Sequence, residues 1–330
     1  YEIIATLGPA SEGTTLWREM LAAGASALRL NTSHLDLDRL HEWLDRLTPF
    51  LTACDEPRPP LILDLQGSKW RLGSFEKRRL EQGRTIELVH TSTTLRPDEL
   101  PVPHADFFQA AAESSGEIVL NDARISLALT TIGEGRLGAR VIKGGEIAPH
   151  KGITYTASGF RCEGLSPKDQ TIIEHTRSFP GIRYAVSYVR DAQEMARYRS
   201  QCGASTYLIA KLERRPAIAD ARNIAALCDE LWLCRGDLGA ELGTCAMAQA
   251  VHLFSRRLAD LPAPVVLAGQ VLEHMTAHVH PTRSEVCCLY DALALGYRGI
   301  VLSDETAVGL YPVEACRAAA LFLTPGGAES

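Results

Sequence analysis

Lysine is scarce in this chain of 330 residues. Of 34 basic residues only six are lysine: Lys69, Lys77, Lys143, Lys151, Lys168 and Lys211. The shortage reports composition rather than function, but it makes each lysine worth placing. Long apolar runs are missing too. None approaches the roughly 18 residues of a membrane span, so no membrane partner is expected. A basic excess is missing: 40 acidic residues outweigh the 34 basic ones and the net charge is -6. A general nucleic-acid binder needs a basic face, so that class is excluded. The nine cysteines contain no Cys-x-x-Cys pair, and their number is odd. That speaks against a zinc site or a disulfide framework, and for reduced, mostly buried thiols in a cytoplasmic protein. Low-complexity tracts are absent, and a hydrophobic share of 46% rules out a disordered chain.

What is present is an alternation. Short β-rich runs occur at Glu2–Leu7, Ala25–Asn31, Pro60–Leu65, Arg183–Tyr188, Thr206–Leu212, Glu230–Cys234, Pro264–Ala268 and Gly299–Leu302. Helical spacing such as Leu37, Leu40, Leu44 and Leu47 lies between most of them. Eight strands, each followed by a helix, predict an α/β fold of the parallel (β/α)8 TIM-barrel type. One connection breaks the rhythm. Residues 72–165 are rich in Gly, Thr and short alternating runs, among them Thr85–Val89, Glu117–Leu120, Ile125–Thr130 and Arg136–Val141. This stretch reads as a separate antiparallel β domain inserted after strand 3. Residues 1–71 and 166–330 are then the catalytic barrel.

Barrel enzymes carry their chemistry at the carboxyl ends of the strands. Those ends are polar here. Strand 2 ends in Arg29-Leu30-Asn31-Thr32-Ser33-His34, and strand 3 in Asp64 with Lys69 and Arg71 beyond it. Strand 5 supplies Lys211 and Glu213, strand 6 Arg235-Gly236-Asp237, and strand 8 Ser303-Asp304-Glu305. Glu213 and Asp237 are hard oxygen ligands on adjacent strands, suited to Mg2+ or Mn2+ completed by substrate oxygens. Arg29, Arg71 and Lys211 would grip a phosphate. A lysine inside Leu208-Ile209-Ala210-Lys211 sits in a buried strand and needs a partner, which Glu213 on the same face provides. His274, His278 and His280 have irregular spacing and read as surface residues.

These residues resemble the pyruvate kinase family over nearly the whole chain. The matching stretches are Ala5-Thr6-Leu7-Gly8-Pro9-Ala10-Ser11, Arg29-Leu30-Asn31-Thr32-Ser33-His34, Lys211-Leu212-Glu213 and Arg235-Gly236-Asp237-Leu238-Gly239. Three more follow: Pro281-Thr282-Arg283-Ser284-Glu285-Val286, Leu302-Ser303-Asp304-Glu305-Thr306-Ala307 and Tyr311-Pro312-Val313-Glu314. The resemblance implies that residues 72–165 are an inserted antiparallel β lid domain, a small β-barrel, and it implies phosphoryl transfer between phosphoenolpyruvate and ADP, with the enolate protonated to pyruvate. Glu213 and Asp237 would hold the divalent cation. Lys211, Arg29, Arg71 and Ser303 would be catalytic. Gly236, Asp237, Gly269 and Arg29 would contact the substrate. Lys151, Arg71, Asn31, His34 and Pro9 would meet the nucleotide. Asn31, Ser33 and Asp64 would form the monovalent-cation site. Barrel-to-barrel contact would make a homodimer, and with no C-terminal regulatory domain in the chain no effector site of that type is expected.

The sequence also departs from the family. Strand 3 continues as Asp64-Leu65-Gln66-Gly67-Ser68-Lys69-Trp70-Arg71, with Lys69 where a glutamate is usual. That resembles the potassium-independent branch, because a tethered ammonium supplies the charge of a bound K+. Gly269, in Ala268-Gly269-Gln270-Val271-Leu272-Glu273, removes a threonine hydroxyl beside the substrate carboxylate. A hydrogen bond to a charged group is worth about 1.5–3 kcal/mol, so roughly 10- to 100-fold in rate or affinity. The same change makes room for a bulkier acid. Arg214, Cys234, Asp304, Ala123 and Val308 are further departures. Besides a pyruvate kinase, two readings stay open: a relative with another phosphoryl acceptor or 2-oxo acid lyase chemistry through a metal enolate, and a non-catalytic metabolite binder. Lys69 carries the first prediction. Turnover is unchanged when K+ is replaced by Na+ at constant ionic strength, and a large stimulation by K+ would count against the tethered cation.

Overall fold

A computed structural model describes residues 1–113, 116–121, 124–155 and 164–323, and of His34 the backbone only. Ala123 therefore lies outside the described residues. The chain divides into two compact units. One comprises Tyr1–Gly67, Glu163–Arg235 and Ala250–Ser330, the other Ser68–Cys162 and Gly236–Gln249.

The first unit is a closed barrel of eight parallel strands. They are β1 (Glu2–Leu7), β2 (Ala27–Asn31), β3 (Leu61–Leu65), β4 (Ile182–Val186), β5 (Tyr207–Leu212), β6 (Glu230–Cys234), β7 (Val265–Ala268) and β8 (Gly299–Leu302). Each pairs in parallel with the next, and β8 closes on β1 through Glu2 opposite Gly299. The strands are almost wholly buried, as a sheet covered by helices on its outside and by its own side chains within must be. β4 stops two residues short of the run read from sequence. Tyr188 there takes a left-handed φ of 64°, which a strand cannot continue.

Alternation along the strands sorts the interior into layers. Ile4, Ala27, Ile62, Ala185, Ile209, Trp232, Val266 and Val301 form a buried apolar layer. Two residues earlier on four of these strands stand Glu2, Arg183, Tyr207 and Glu230. They form a polar floor: Trp232 and Tyr207 donate to Glu230, and Arg183 reaches Glu2 at 3.3 Å. Two residues later stand Thr6, Arg29, Asp64, Ser187, Lys211 and Ser303, the polar layer at the carboxyl ends.

The helix Pro167–Thr176 fastens this upper layer. It opens with Ser166 as its N-cap and Pro167 at its first turn. Asp169, fully buried, accepts the backbone N–H groups of Gln66 and Gly67 beyond β3, and Lys168 donates to the carbonyls of Thr32 and Leu35 beyond β2.

The second unit holds a six-stranded sheet. In spatial order its strands are Ile153–Tyr155, Glu117–Leu120, Ile125–Gly133, Arg136–Lys143, Thr85–Val89 and Glu99–Pro101. A separate ladder joins Arg78–Leu80 to Gly145–Ile147. The neighbours are antiparallel except the last pair, Thr85–Val89 with Glu99–Pro101, which is parallel. One face is closed by the helix Ala105–Glu113, whose Phe107 and Phe108 enter a core with Trp70, Leu88 and Leu127.

Gly67 tests how tightly β3 is held against β4. Its φ is +58°, and a Cβ there would lie 2.2 Å from the carbonyl oxygen of Ser187. Gly67→Ala therefore costs about 2 kcal/mol or more, since strain and a backbone clash add. A chemical denaturation midpoint equal to that of the parent would contradict this.

Candidate active site

The upper layer of the barrel concentrates charge where water is excluded. Asp64 is 1% exposed, Glu213 1%, Arg29 7% and Lys211 8%. Arg29 donates Nε and Nη2 to Asp64 Oδ2 at 2.9 and 2.5 Å, and Nη1 to Thr6 Oγ1 at 2.7 Å. Lys211 Nζ lies 3.1 Å from Asp64 Oδ2, 2.9 Å from Glu213 Oε1 and 2.9 Å from Ser187 Oγ. Ser187 Oγ donates to Asp64 Oδ1 at 3.0 Å. Tyr188 donates its N–H to Glu213 Oε2 at 2.7 Å, from the left-handed backbone that ends β4. Beneath Arg29 lies the ring of Trp232, 5.8 Å from the guanidinium carbon.

Two cations and two carboxylates balance one another in this quartet. Burial by itself would push the Asp64 carboxyl up. The charges of Lys211 and Arg29 and their hydrogen bonds outweigh it and bring the pKa to about 2. For Lys211 burial works to remove the proton, and the nearby Asp64 and Glu213 charges overcome it, so the amine is held firmly protonated. The site therefore presents permanent positive charge from Arg29 and Lys211 at the barrel mouth.

Asn31 accepts the N–H of Ser33 at 3.2 Å, so both stand at the end of β2. Pro9 is exposed in a short 3-10 turn after β1. Ser303 follows β8 and donates its N–H to the buried Glu305, whose other oxygen accepts Leu272 N–H. Gly269 has φ +87°, and Gln270 beside it +54°. A β-branched threonine is strongly disfavoured in that region. At Gly269 the chain thus combines the missing hydroxyl with a backbone that a threonine would adopt only under strain. His274, His278 and His280 are exposed.

In the second unit, Asp237 lies in the first turn of the helix Arg235–Leu242, directly after Gly236. Lys69 Nζ is 2.5 Å from Asp237 Oδ1. Within its own unit Lys69 donates to Asp237, and in the barrel Asp64 accepts from Arg29, Lys211 and Ser187. Gly152 permits this placement, because a Cβ there would come within 2.6 Å of Lys69 Cε. Arg71 bridges to Gly152 and donates to the carbonyl of His150 at 3.0 Å, while Leu72 N–H binds the carbonyl of Lys151. Glu213 and Asp237 are hard oxygen donors that each already carry an ammonium. That is the chemistry a divalent cation also satisfies.

Sequence reasoning missed Ser187, Lys168 and Asp169. For Ser187 the signal was available: it shares the parity of Ala185 and sits one pleat beyond the apolar layer. Nothing in the local sequence separates Lys168 and Asp169 from an ordinary helix start. Eight cysteines are described and all are free thiols. They are less buried than expected, since Cys245 and Cys287 are exposed and only Cys234 and Cys316 are fully buried.

A closed parallel barrel with a buried, mutually neutralising charge cluster at the carboxyl ends of its strands defines a (β/α)8 barrel protein. The family model described as pyruvate kinase, barrel domain, matches residues 1–316. The chain belongs to the pyruvate kinase family. It is similar to the pyruvate kinase of Methylorubrum extorquens, 32% identical over 318 residues, covering 95% of this chain and 66% of that protein. A pyruvate kinase of Agrobacterium vitis is 31% identical over 317 residues, with 95% and 65% covered. That of Thermococcus litoralis is 30% identical over 318 residues, with 95% and 66% covered. The chain thus spans a little under two thirds of the length of these relatives. The match includes strand 3 and the residues beyond it, where Lys69 stands.

The depressed pKa of Asp64 gives a pH-dependent prediction. Its folded value lies below the ordinary 3.8, so its stabilisation is complete above that value and is lost as pH falls toward 2. The shift corresponds to about 2 kcal/mol at neutral pH. Asp64→Asn removes this contribution and leaves Arg29 and Lys211 short of a counter-charge, at about 3 kcal/mol in all. Denaturation midpoints followed from pH 7 to pH 3 will show the parent falling more steeply than the variant; parallel curves would refute the assignment.

Proposed function

We propose that the protein is a phosphotransferase of pyruvate kinase type, moving a phosphoryl group between phosphoenolpyruvate and ADP to give pyruvate and ATP. The observation that carries this reading is the buried Arg29–Asp64–Lys211–Glu213 cluster at the carboxyl ends of β2, β3 and β5. Phosphoryl transfer asks mainly for positioning and charge stabilisation, and fixed cations in a dry site provide both.

In this reading Lys211 and Arg29 neutralise charge on the transferring phosphoryl. Asp64 and Ser187 hold Lys211 at the barrel axis, so its ammonium needs no reorganisation when the substrate binds. Glu213 and Asp237 are the carboxylates that would hold Mg2+ or Mn2+. That ion, when bound, offers Lewis-acid stabilisation to phosphoryl and enolate oxygens. The N–H groups of Gly236 and Asp237 take the substrate carboxylate at the start of their helix. Arg71, Lys151, Asn31, His34 and Pro9 serve the nucleotide, and Ser303 the substrate side of β8. Lys69 supplies a tethered charge beside Asp237, so that K+ is not required. The protein acts as a cytoplasmic homodimer.

A coupled pyruvate-release assay with phosphoenolpyruvate, ADP and Mg2+ or Mn2+ tests the reading. Turnover of about 10 s⁻¹ or more is expected. Lys211→Met lowers kcat by roughly 10²–10³-fold, the loss seen when one preorganised charge-stabilising group is removed. No pyruvate release from a folded protein, or full activity in Lys211→Met, would overturn it.

A further inference from the structure

Two histidines on the outside of the barrel unit meet across two helices. His41 lies one turn into the helix Leu37–Thr52, which follows β2, and His175 in the last turn of the helix Pro167–Thr176. Each helix turns its apolar side inward, and both histidines stand on exposed surface. Although 134 residues separate them in the chain, His41 Nε2 and His175 Nδ1 are 3.2 Å apart. The ring centres are 5.3 Å apart and the planes are inclined by 36°. As a hydrogen bond this contact competes with water and contributes little. It also needs one ring nitrogen as donor and the other as acceptor, so two imidazolium ions cannot make it.

The same spacing suits a metal ion. Imidazole binds Zn2+ at about 2.0–2.1 Å, and two such bonds to nitrogens 3.2 Å apart enclose roughly 100°, near the tetrahedral angle. Rotation of the exposed rings about χ2, a soft torsion for histidine, turns the two lone pairs from facing each other to converging on one point. Imidazole suits Zn2+, Cu2+ and Ni2+, whereas Mg2+ calls for oxygen ligands, so this pair and the carboxylates of the barrel mouth select different ions. Among the described residues no group of three or more His, Cys, Asp or Glu is placed to hold a metal, so water completes the coordination here. The helices that carry the pair are already joined. Lys168, in the first turn of one, donates to the carbonyls of Thr32 and Leu35, just ahead of the other. The two rings are therefore held within reach of each other before any ion arrives, and little ordering is left for binding to oppose.

We propose that His41 and His175 form a binding site for a divalent transition ion of the Zn2+ class, and that the bound ion clips the helix after β2 to the helix Pro167–Thr176. An ion that needs both rings binds the folded arrangement and not the open chain, so it stabilises the barrel by mass action. The proposal does not depend on phosphoryl transfer.

The test uses the full chain, freed of metal with a chelator. Exposed thiols such as Cys245 and Cys287 also bind Zn2+, so they are first blocked with iodoacetamide. Zn2+ is then titrated in competition with a chromophoric chelator, with Mg2+ in excess to occupy carboxylates. One equivalent of Zn2+ per chain is expected. His41→Gln and His175→Gln, each with circular dichroism unchanged, weaken it by about tenfold or more, since a bound ligand matters at least as much as an outer-shell partner. With Zn2+ well above its Kd the thermal midpoint of the parent rises by several degrees, and both variants lose the rise. No binding, or binding that survives both substitutions, would overturn the site. Loss in one variant alone would overturn the shared ligation. Loss in both with no rise in the parent's midpoint would overturn the clip.

Discussion

The structure turns on one buried carboxylate. Asp64 lies among the strand ends that carry Arg29, Ser187 and Lys211, and among the described residues it is the one carboxylate that meets all three. Burying a lone cation in a barrel interior is prohibitive, and burying two close together more so. Asp64 makes it possible to hold Arg29 and Lys211 in one layer, and Glu213 completes the balance. Remove the charge on Asp64 and the remaining charges no longer cancel. The permanence of positive charge at the barrel mouth, on which any handling of a phosphoryl group rests, follows from that pairing.

Around this cluster the backbone departs from regular geometry where it bears on the site. Tyr188 is left-handed and turns its N–H onto Glu213. Gly269 and Gln270 are left-handed, and Arg235 donates to both of their carbonyls. Asp169 and Lys168 tie down the loops after β3 and β2 from a helix that begins more than a hundred residues later than Asp64 in the chain. Residues in sparsely populated conformations persist only where surrounding contacts over-determine them. Here those contacts are charge-assisted hydrogen bonds, which are the strong ones.

The departures from the family take on different meanings in three dimensions. Gly269 reads in sequence as a missing hydroxyl, and in the structure it also carries a left-handed φ of +87°. Lys69 reads as a tethered cation, and the structure adds a contact of its ammonium with Asp237. Both differences have one cause: sequence position specifies which strand end a residue follows, whereas its partner depends on how the neighbouring loop turns. Glu305 behaves likewise. It looks like another rim carboxylate, yet its oxygens are taken up by the N–H groups of Ser303 and Leu272, binding the ends of β8 and β7 together.

Periodicity in the chain was enough to determine the eight strands and the interruption after strand 3. Each is a local pattern of burial and backbone preference. The pairing of Lys211 with Glu213 was legible for the same reason, since two residues apart on one strand means the same face. What lay beyond the sequence were the contacts across strands: Asp64 between Arg29 and Lys211, Ser187 beside them, the polar floor of Glu2, Arg183 and Glu230, and Arg235 spanning from β6 to the loop of β7. Those depend on barrel closure, which brings side chains of equal height on different strands into one layer. Only the folded chain decides which charges share that layer, because their separation in sequence, 147 residues between Asp64 and Lys211, carries no information about their separation in space.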